Sequence, residues 1–456
     1  MGNQKINTVT ILMYSLLFIC NFTSHDWSYK ISSTEGEIFR FDKILLFGQV
    51  NIYHLFGILF LIYILVKFVL NNGNDIFAHR NYLKNIFWMY FIPVNILIYL
   101  TVYIKDIDLI DLGLNPIVTF FAFLIFIYYI QDIFLKDKDK KQVFNILTFL
   151  EVLIFSRCCY SIVKYLLGFG EINPIIGGVR LGEEEDFTDF FILLLIIALV
   201  RLLFGKDEDN KTRILHMLGL ITSFCIVVFS FRRFFWIEAF IAVGIILFFH
   251  YRFNKVNFNI KVATVCFSLV IIIGSILFVG VDRIANNYYT GRLITIFSLI
   301  DYKFESKYGT DTGHRKQIEV GWYNVKKNWF LGITPFGKDK MERTPREVGL
   351  YVHNGYFLVW LNYGLLGLIL FMFLYFKSIQ LGYIMFFKFN NNIGLILLIF
   401  MICQMIKNIV WQTAIIEMNI TVIYIFLISL VLKAKQLEVN GKINSDKHNN
   451  PFMPSS

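Results

Sequence analysis

The stretch FTDFFILLLIIALVRLLFG, residues 187–205, is apolar and long enough to cross a bilayer as a single helix. The acidic run Glu183–Asp186 precedes it, and Lys206, Lys211 and Arg213 follow it. Working outward, comparable runs lie at about 8–22, 52–70, 86–104, 116–135, 143–167, 213–231, 234–250, 261–281, 362–386, 393–411 and 414–432. The expected fold is therefore an all-α polytopic membrane protein of about 12 transmembrane helices. The run Val9–Cys20 after Lys5 is read as the first of these helices and not as a signal peptide, because no small-residue cleavage site follows it.

Composition agrees. The chain of 456 residues is 57% hydrophobic and 17% charged, against about 45–50% and 25% in soluble domains. A soluble globular enzyme, a disordered chain and a disulfide scaffold are excluded. The 50 Phe and 24 Tyr against 7 Pro suit lipid-facing helices with aromatic ends. The net charge of +10 is the lysine and arginine excess of cytoplasmic loops, and with no soluble basic domain nucleic acid is not a partner. Cys20, Cys158, Cys159, Cys225, Cys266 and Cys403 all lie in apolar runs and read as small core residues. There is no HExxH, CxxC or P-loop pattern, so no zinc, no other metal, no cofactor and no ATP-driven transport are expected.

The loops sort by charge. One set carries Arg80 and Lys84, Lys136 to Lys141, Lys206 to Arg213, Arg252 and Lys255, Lys388 and the tail lysines. The opposite set carries Asp26, Glu35, Glu37 and Asp42, then Asp106, Asp108 and Asp111, then Glu171 and Glu183–Asp186. The positive set belongs in the cytoplasm, which puts both termini there and implies a plasma (inner) membrane protein. The resulting organisation is 1–281 for spans 1–9, 282–361 for an extracytoplasmic loop, 362–432 for spans 10–12 and 433–456 for a disordered cytoplasmic tail.

The large outer loop holds a patterned segment. Between Arg315 and Trp329, the residues Ile318, Trp322, Val325 and Trp329 recur at helical spacing. Such a helix is expected to lie in the headgroup plane, with Arg315 at phosphate depth.

Several side chains on that side carry chemistry. Arg232 and Arg233, in FSFRRFFW, sit in the tight outer turn between spans 7 and 8, where the charge rule wants no arginine. Snorkelling to headgroups is one reading. The other is a clamp on a diphosphate, since guanidinium forks onto phosphate oxygens. Arg157 lies toward the outer end of span 5, on one face with Lys164, and an internal ion pair with Glu151 is its structural alternative. His353, in YVHNGYF, stands where the loop re-enters the membrane and, with an ordinary pKa near 6.5, can accept a proton. A hydrogen-bonded interfacial histidine is its plainer reading. His314 is a weaker candidate, and the remaining histidines, His216 among them, read as ordinary.

The segments GHRKQIEVGWYNVKKNWFLGITPFG and YVHNGYFLVWLNYGLLGLILF resemble the O-antigen ligase/polymerase superfamily, which comprises Wzy-type repeat-unit polymerases and WaaL-type ligases. The matching residues are Arg315, Trp322, Asn328, Gly332, His353, Asn354 and Gly364 to Gly367, with Ser230, Arg232 and Arg233 in the place of a serine-arginine motif. Phe231 is inserted there, so either arginine can be the counterpart. The resemblance implies a GT-C-like, metal-independent, inverting glycosyltransferase on the outer membrane face. Its donor and acceptor would be undecaprenyl-diphosphate-linked glycans in the lipid bilayer, with a chain-length regulator and a flippase as protein partners. His353 and Arg315 would be catalytic, Arg232, Arg233, Arg157 and Arg292 would bind the diphosphate, and Asn354 and Trp322 would support them.

Polymerisation of repeat units into O-antigen or capsule is the leading reading, and ligation of the glycan to a final acceptor is the second. A flippase or transporter would call for broken Gly/Pro helices in matching halves, which the seven prolines do not provide. A glycosyltransferase built on Glu35 and Glu37 is the last alternative.

Overall fold

A computed structural model describes residues 28–31, 34–37, 66, 140–166, 172–173, 178–179, 188–205, 209–230, 233–254, 321–330, 332, 354–410 and 418–449. In chain order the elements are β1 (Ser28–Ile31), β2 (Thr34–Glu37), α1 (Lys140–Leu166), β3 (Ile172–Asn173), β4 (Gly178–Val179), α2 (Thr188–Phe204), α3 (Asn210–Phe229), α4 (Arg233–Asn254), α5 (Gly355–Phe389), α6 (Asn392–Val410) and α7 (Met418–Asn449). The spans expected at about 8–22, 52–70, 86–104, 116–135 and 261–281 lie outside the described residues.

The described body is a helical bundle. Four segments are long and apolar enough to cross a membrane: Lys141–Val163, Phe235–Phe253, Gly364–Phe389 and Asn392–Ile409. The all-α expectation needs one addition, because two short antiparallel hairpins, β1–β2 and β3–β4, occur in the polar loops. In the first, Glu35 pairs with Lys30 and Glu37 with Ser28 along the ladder.

α2 is the axis of the bundle. Its 17 residues reach only roughly 25 Å at 1.5 Å per residue, yet every residue from Phe190 to Val200 is buried. A helix that is apolar all round belongs inside protein, and α2 is enclosed by α1, α3, α4 and α6. α6 is similarly buried from Ile393 to Met401.

α5 and α6 form an antiparallel hairpin. Asn390 ends α5 in the left-handed conformation at φ 50°, and its N–H donates to Met385 O. The Asn391 side chain then accepts from Ile393 N at 3.0 Å and opens α6. The two backbones touch where glycines face each other. A Cβ on Gly382 would stand 2.8 Å from Gly394 O, and one on Gly394 would stand 2.9 Å from Gly382 O. Between membrane helices, where lipid tails are as apolar as leucine, such close approach supplies the contact energy.

Antiparallel connections give the bundle two ends. At the end the charge reading assigns to the cytoplasm, Asn392 Nδ2 donates to Phe204 O at 3.1 Å and joins α6 to α2. Asp209 caps α3 at the same end, and the Thr212 hydrogen bonds hold its carboxyl below the usual range. The opposite end gathers the starts of α2, α4 and α5 and the close of α6.

Three extents differ from expectation. α5 begins at Gly355, inside the segment assigned to the outer loop, and is broken at Gly364, whose φ of 71° and ψ of −175° are not helical. α7 runs to Asn449, so the polar stretch from Lys433 expected to be disordered is helical that far. A helix already nucleated in an apolar span extends at little cost through Lys, Gln, Leu and Glu. Of the Arg315–Trp329 pattern, the described part is helical over residues 321–327, and Val325 is buried against Leu361, with Phe357 and Trp360 beside it.

Gly394→Leu is expected to force α5 from α6 and cost about 1–3 kcal/mol, the usual price of overpacking, seen as a lower unfolding midpoint in detergent. Gly244→Ala is the control: its Cβ meets nothing within 4 Å, and the midpoint should not fall.

Candidate active site

The end of the bundle where α4 and α5 begin is built by local chemistry. Ser230 closes α3, its N–H donating to Ile226 O at 2.8 Å and its hydroxyl to Val227 O at 2.9 Å. Trp236, one turn into α4, reaches back and donates to Val227 O at 2.7 Å. These bonds tie the close of α3 to the first turn of α4, which begins at Arg233.

Asn354 opens α5. Its Oδ1 accepts from Phe357 N at 3.0 Å, the N-cap bond that satisfies an orphan donor of the first turn. Its Nδ2 donates to Ile409 O at 2.8 Å, at the close of α6. Tyr356 adds a second tie, its hydroxyl donating to Met405 O at 2.7 Å. Burial pushes that phenol up to about 12, so it stays a donor. His353 is one peptide bond from this doubly tied corner.

The loop segment docks on the broken part of α5. Past the break at Gly364, Leu365 N cannot complete its helical bond and donates instead to Trp329 O at 2.9 Å. Trp360 Nε1 donates to the same carbonyl at 2.8 Å. Trp322 stands edge-on to Phe357 and to Trp360, each ring 5.8 Å away. It keeps 40% of its surface exposed, with Lys326 Nζ 5.5 Å from its ring centroid. Trp322 therefore braces the start of α5.

Beneath this end lies a buried polar layer. Asp189 Oδ1, in the first turn of α2, accepts from Lys407 Nζ and Gln404 Nε2 of α6, both at 2.7 Å. Asn408 Nδ2 donates to Tyr375 OH at 2.8 Å. Glu238, roughly 7 Å along α4 from Arg233, is buried, and its backbone carbonyl accepts from Cys403 of α6. A second buried set lies toward the opposite end: Glu151 is 3.2 Å from Arg201 and 2.6 Å from His216 Nδ1.

Of the residues singled out in the sequence, Asn354 and Trp322 are placed on α5 and against it, and Arg233 starts α4. Arg157 is fully buried in α1, its guanidinium 5.5 Å from the Tyr160 ring centroid, so its charge lies inside the bundle and not at an open mouth. Glu151 pairs with Arg201 and His216, not with Arg157, and His216 is thereby structural. Arg232, Arg292, Arg315 and His353 lie outside the described residues. The sequence reading missed Asp189, Glu238 and Lys407. The signal was present, since each is a charge inside an apolar run, in FTDFF, RRFFWIEAF and MICQMIKNIV.

Residues 218–372 match the family model described as O-antigen ligase. For that segment the match supports the likeness to the O-antigen ligase/polymerase superfamily. The O-antigen ligase match starts within α3, takes in α4 and the docked loop segment and ends within α5, so it carries the Ser230–Arg233 turn, Trp322 and Asn354 together. Asp189 and Lys407 lie outside it, and Glu238 inside. No curated protein matches the chain. A multi-pass membrane protein of glycan processing is what the O-antigen ligase match and the apolar helices together support.

Asn354→Ala is expected to lower stability by about 1 kcal/mol through loss of the cap, read by thermal unfolding in detergent. Asn354→Ser keeps a capping oxygen and loses only the reach to Ile409, so its midpoint should fall between wild type and alanine.

Proposed function

We propose that the protein joins undecaprenyl-diphosphate-linked oligosaccharide repeat units into a surface polysaccharide, O-antigen or capsule, at the outer face of the plasma membrane. One observation carries the reading. The family segment contains the starts of α4 and α5, which lie at one end of the bundle, and Asn354 caps α5 there. The ties of α6 to both helices support that placement: Cys403 to the Glu238 carbonyl, and the Ile409 carbonyl to Asn354.

In this reading a hydroxyl of the acceptor sugar attacks the anomeric carbon of the donor glycan. The bond from that carbon to the diphosphate oxygen breaks, and undecaprenyl diphosphate departs. His353 takes the hydroxyl proton. Arg315 with Arg232 or Arg233 stabilises the charge growing on the diphosphate, as fixed cations do most effectively at a developing anion. Arg292 assists at the same phosphates, and Arg157 supports them from within the bundle. Attack opposite the leaving group inverts the anomeric centre. No nucleotide-sugar site is required, since the driving energy arrives in the lipid diphosphate. A chain-length regulator and a flippase are the protein partners of such a polymerase.

Transfer to a final acceptor uses the same chemistry, and the O-antigen ligase description of the matching family favours that second reading. The two separate in cells. A strain lacking a polymerase should display single repeat units on the surface anchor. A strain lacking a ligase should accumulate long polymer on the lipid carrier.

His353→Ala should slow transfer by about 10²–10⁴-fold, the usual worth of general-base help, measured with purified enzyme and lipid-linked donor. Arg233→Ala and Arg315→Ala should each reproduce the deletion on a surface-glycan gel. Wild-type polymer from all three variants would refute the site.

A further inference from the structure

The loop segment docked on α5 leaves an aromatic pair uncovered. Val325 is packed on Leu361, but Trp329 and Phe330 are 53% and 52% exposed, with ring centroids 5.5 Å apart. Their backbone is tied down. Trp329 O accepts from Leu365 N and from Trp360 Nε1, and Gly332 N donates to Asn328 O. Two adjacent exposed rings on a tied backbone form an apolar patch, and such patches mark contacts with protein, ligand or membrane.

Hydrogen bonds fix the height of the pair. Leu365 is the second residue of the apolar segment Gly364–Phe389, and its N–H is bonded to Trp329 O. Asn354 is bonded to the carbonyl of Ile409, the last residue of the apolar segment Asn392–Ile409. Residues 355–363 therefore join the same limit of two spans, and the loop segment packs on them. Below that level α5 carries an exposed apolar stripe. Ile369, Phe376 and Tyr383 are each more than half exposed and recur every seven residues, nearly two turns. Leu365 lies one turn above Ile369 on the same face. From Leu365 to Tyr383 the rise is about 27 Å at 1.5 Å per residue, close to the roughly 30 Å of a hydrocarbon core. Both limits of the stripe carry aromatic rings and lysine. At one, Tyr383 stacks on Phe387, and Lys388 follows. At the other, Trp329 and Phe330 follow the exposed Lys326 and Lys327. Aromatic rings flanked by lysines are what a membrane–water boundary selects.

We propose that Trp329 and Phe330 enter the outer leaflet at the border of acyl chains and headgroups, with Lys326 and Lys327 at the headgroup phosphates. The occupant of the patch is phospholipid. Its place favours lipid over a sugar or a second copy of the chain, because the rings cap the exposed apolar stripe of α5 and phosphate complements the lysines. The sequence pattern put Val325 with Trp329 toward the headgroups. In the structure Val325 is buried against Leu361, and the exposed ring beside Trp329 is Phe330. The anchor holds the loop segment and the opening of α5 at headgroup height, whatever glycan the protein handles.

The test uses the full-length protein in nanodiscs of phosphatidylcholine and phosphatidylglycerol and reads tryptophan emission. Part of the phosphatidylcholine is replaced by its brominated form, with bromine either high or deep on the acyl chains. Trp329→Phe removes one indole and keeps the backbone carbonyl that holds Leu365 and Trp360. The emission lost in this variant should be the part quenched more by high than by deep bromine and shielded from iodide in solution. Phe330→Trp should add emission with the same response, and it serves where the first variant does not fold. Emission from position 329 that iodide quenches and bromine does not overturns the anchor, since the rings then face water and are open to a sugar. Emission reached by neither quencher also overturns it, since protein then covers the patch. Neither readout involves glycosyl transfer, so failure of the proposed activity leaves this result untouched.

Discussion

A carboxylate inside an apolar bundle has to be answered by a cation, and the ion pair of Asp189 with Lys407 is where this protein meets that demand. Removing one partner of such a pair costs about 3–5 kcal/mol, because the other is left buried and bare. The pair joins the first turn of α2 to the last turn of α6. Those are the two most enclosed helices, so the pair sets the register of the whole core.

From that register the upper end follows. α5 lies against α6 through the close approach of Gly382 and Gly394, which leaves no room for sliding. Asn354 and Tyr356 then reach carbonyls in the last turns of α6. The break at Gly364 frees one N–H, and Trp329 O of the loop segment receives it. A buried ion pair, a glycine contact and a diverted backbone hydrogen bond thus carry the loop segment to the place where α5 begins. The start of α4 stands at the same end, tied to the close of α3 where Ser230 and Trp236 both donate to the Val227 carbonyl.

The same layering separates two kinds of buried charge. Glu151, Arg201 and His216 form a set with its partners in hand, which fits a fastening between α1, α2 and α3. Around the Asp189–Lys407 pair, Asp189 Oδ2 and both Glu238 carboxylate oxygens are buried without a hydrogen-bond partner.

The sequence by itself determined the helical membrane class of the fold and pointed to the superfamily that the segment 218–372 matches. Apolar runs of this length span as helices, which satisfy their own backbone where no water can. It could not say which charges pair. Glu151 and Arg157 share one helix and looked like partners, yet Glu151 meets Arg201 and His216, which are fifty and more residues away. Nor could it say that Trp322 and Val325 face α5. Periodicity assigns a residue to a face of its own helix, while the identity of whatever lies against that face depends on how the helices cross. Only tertiary packing decides it, through contacts between segments far apart in the chain.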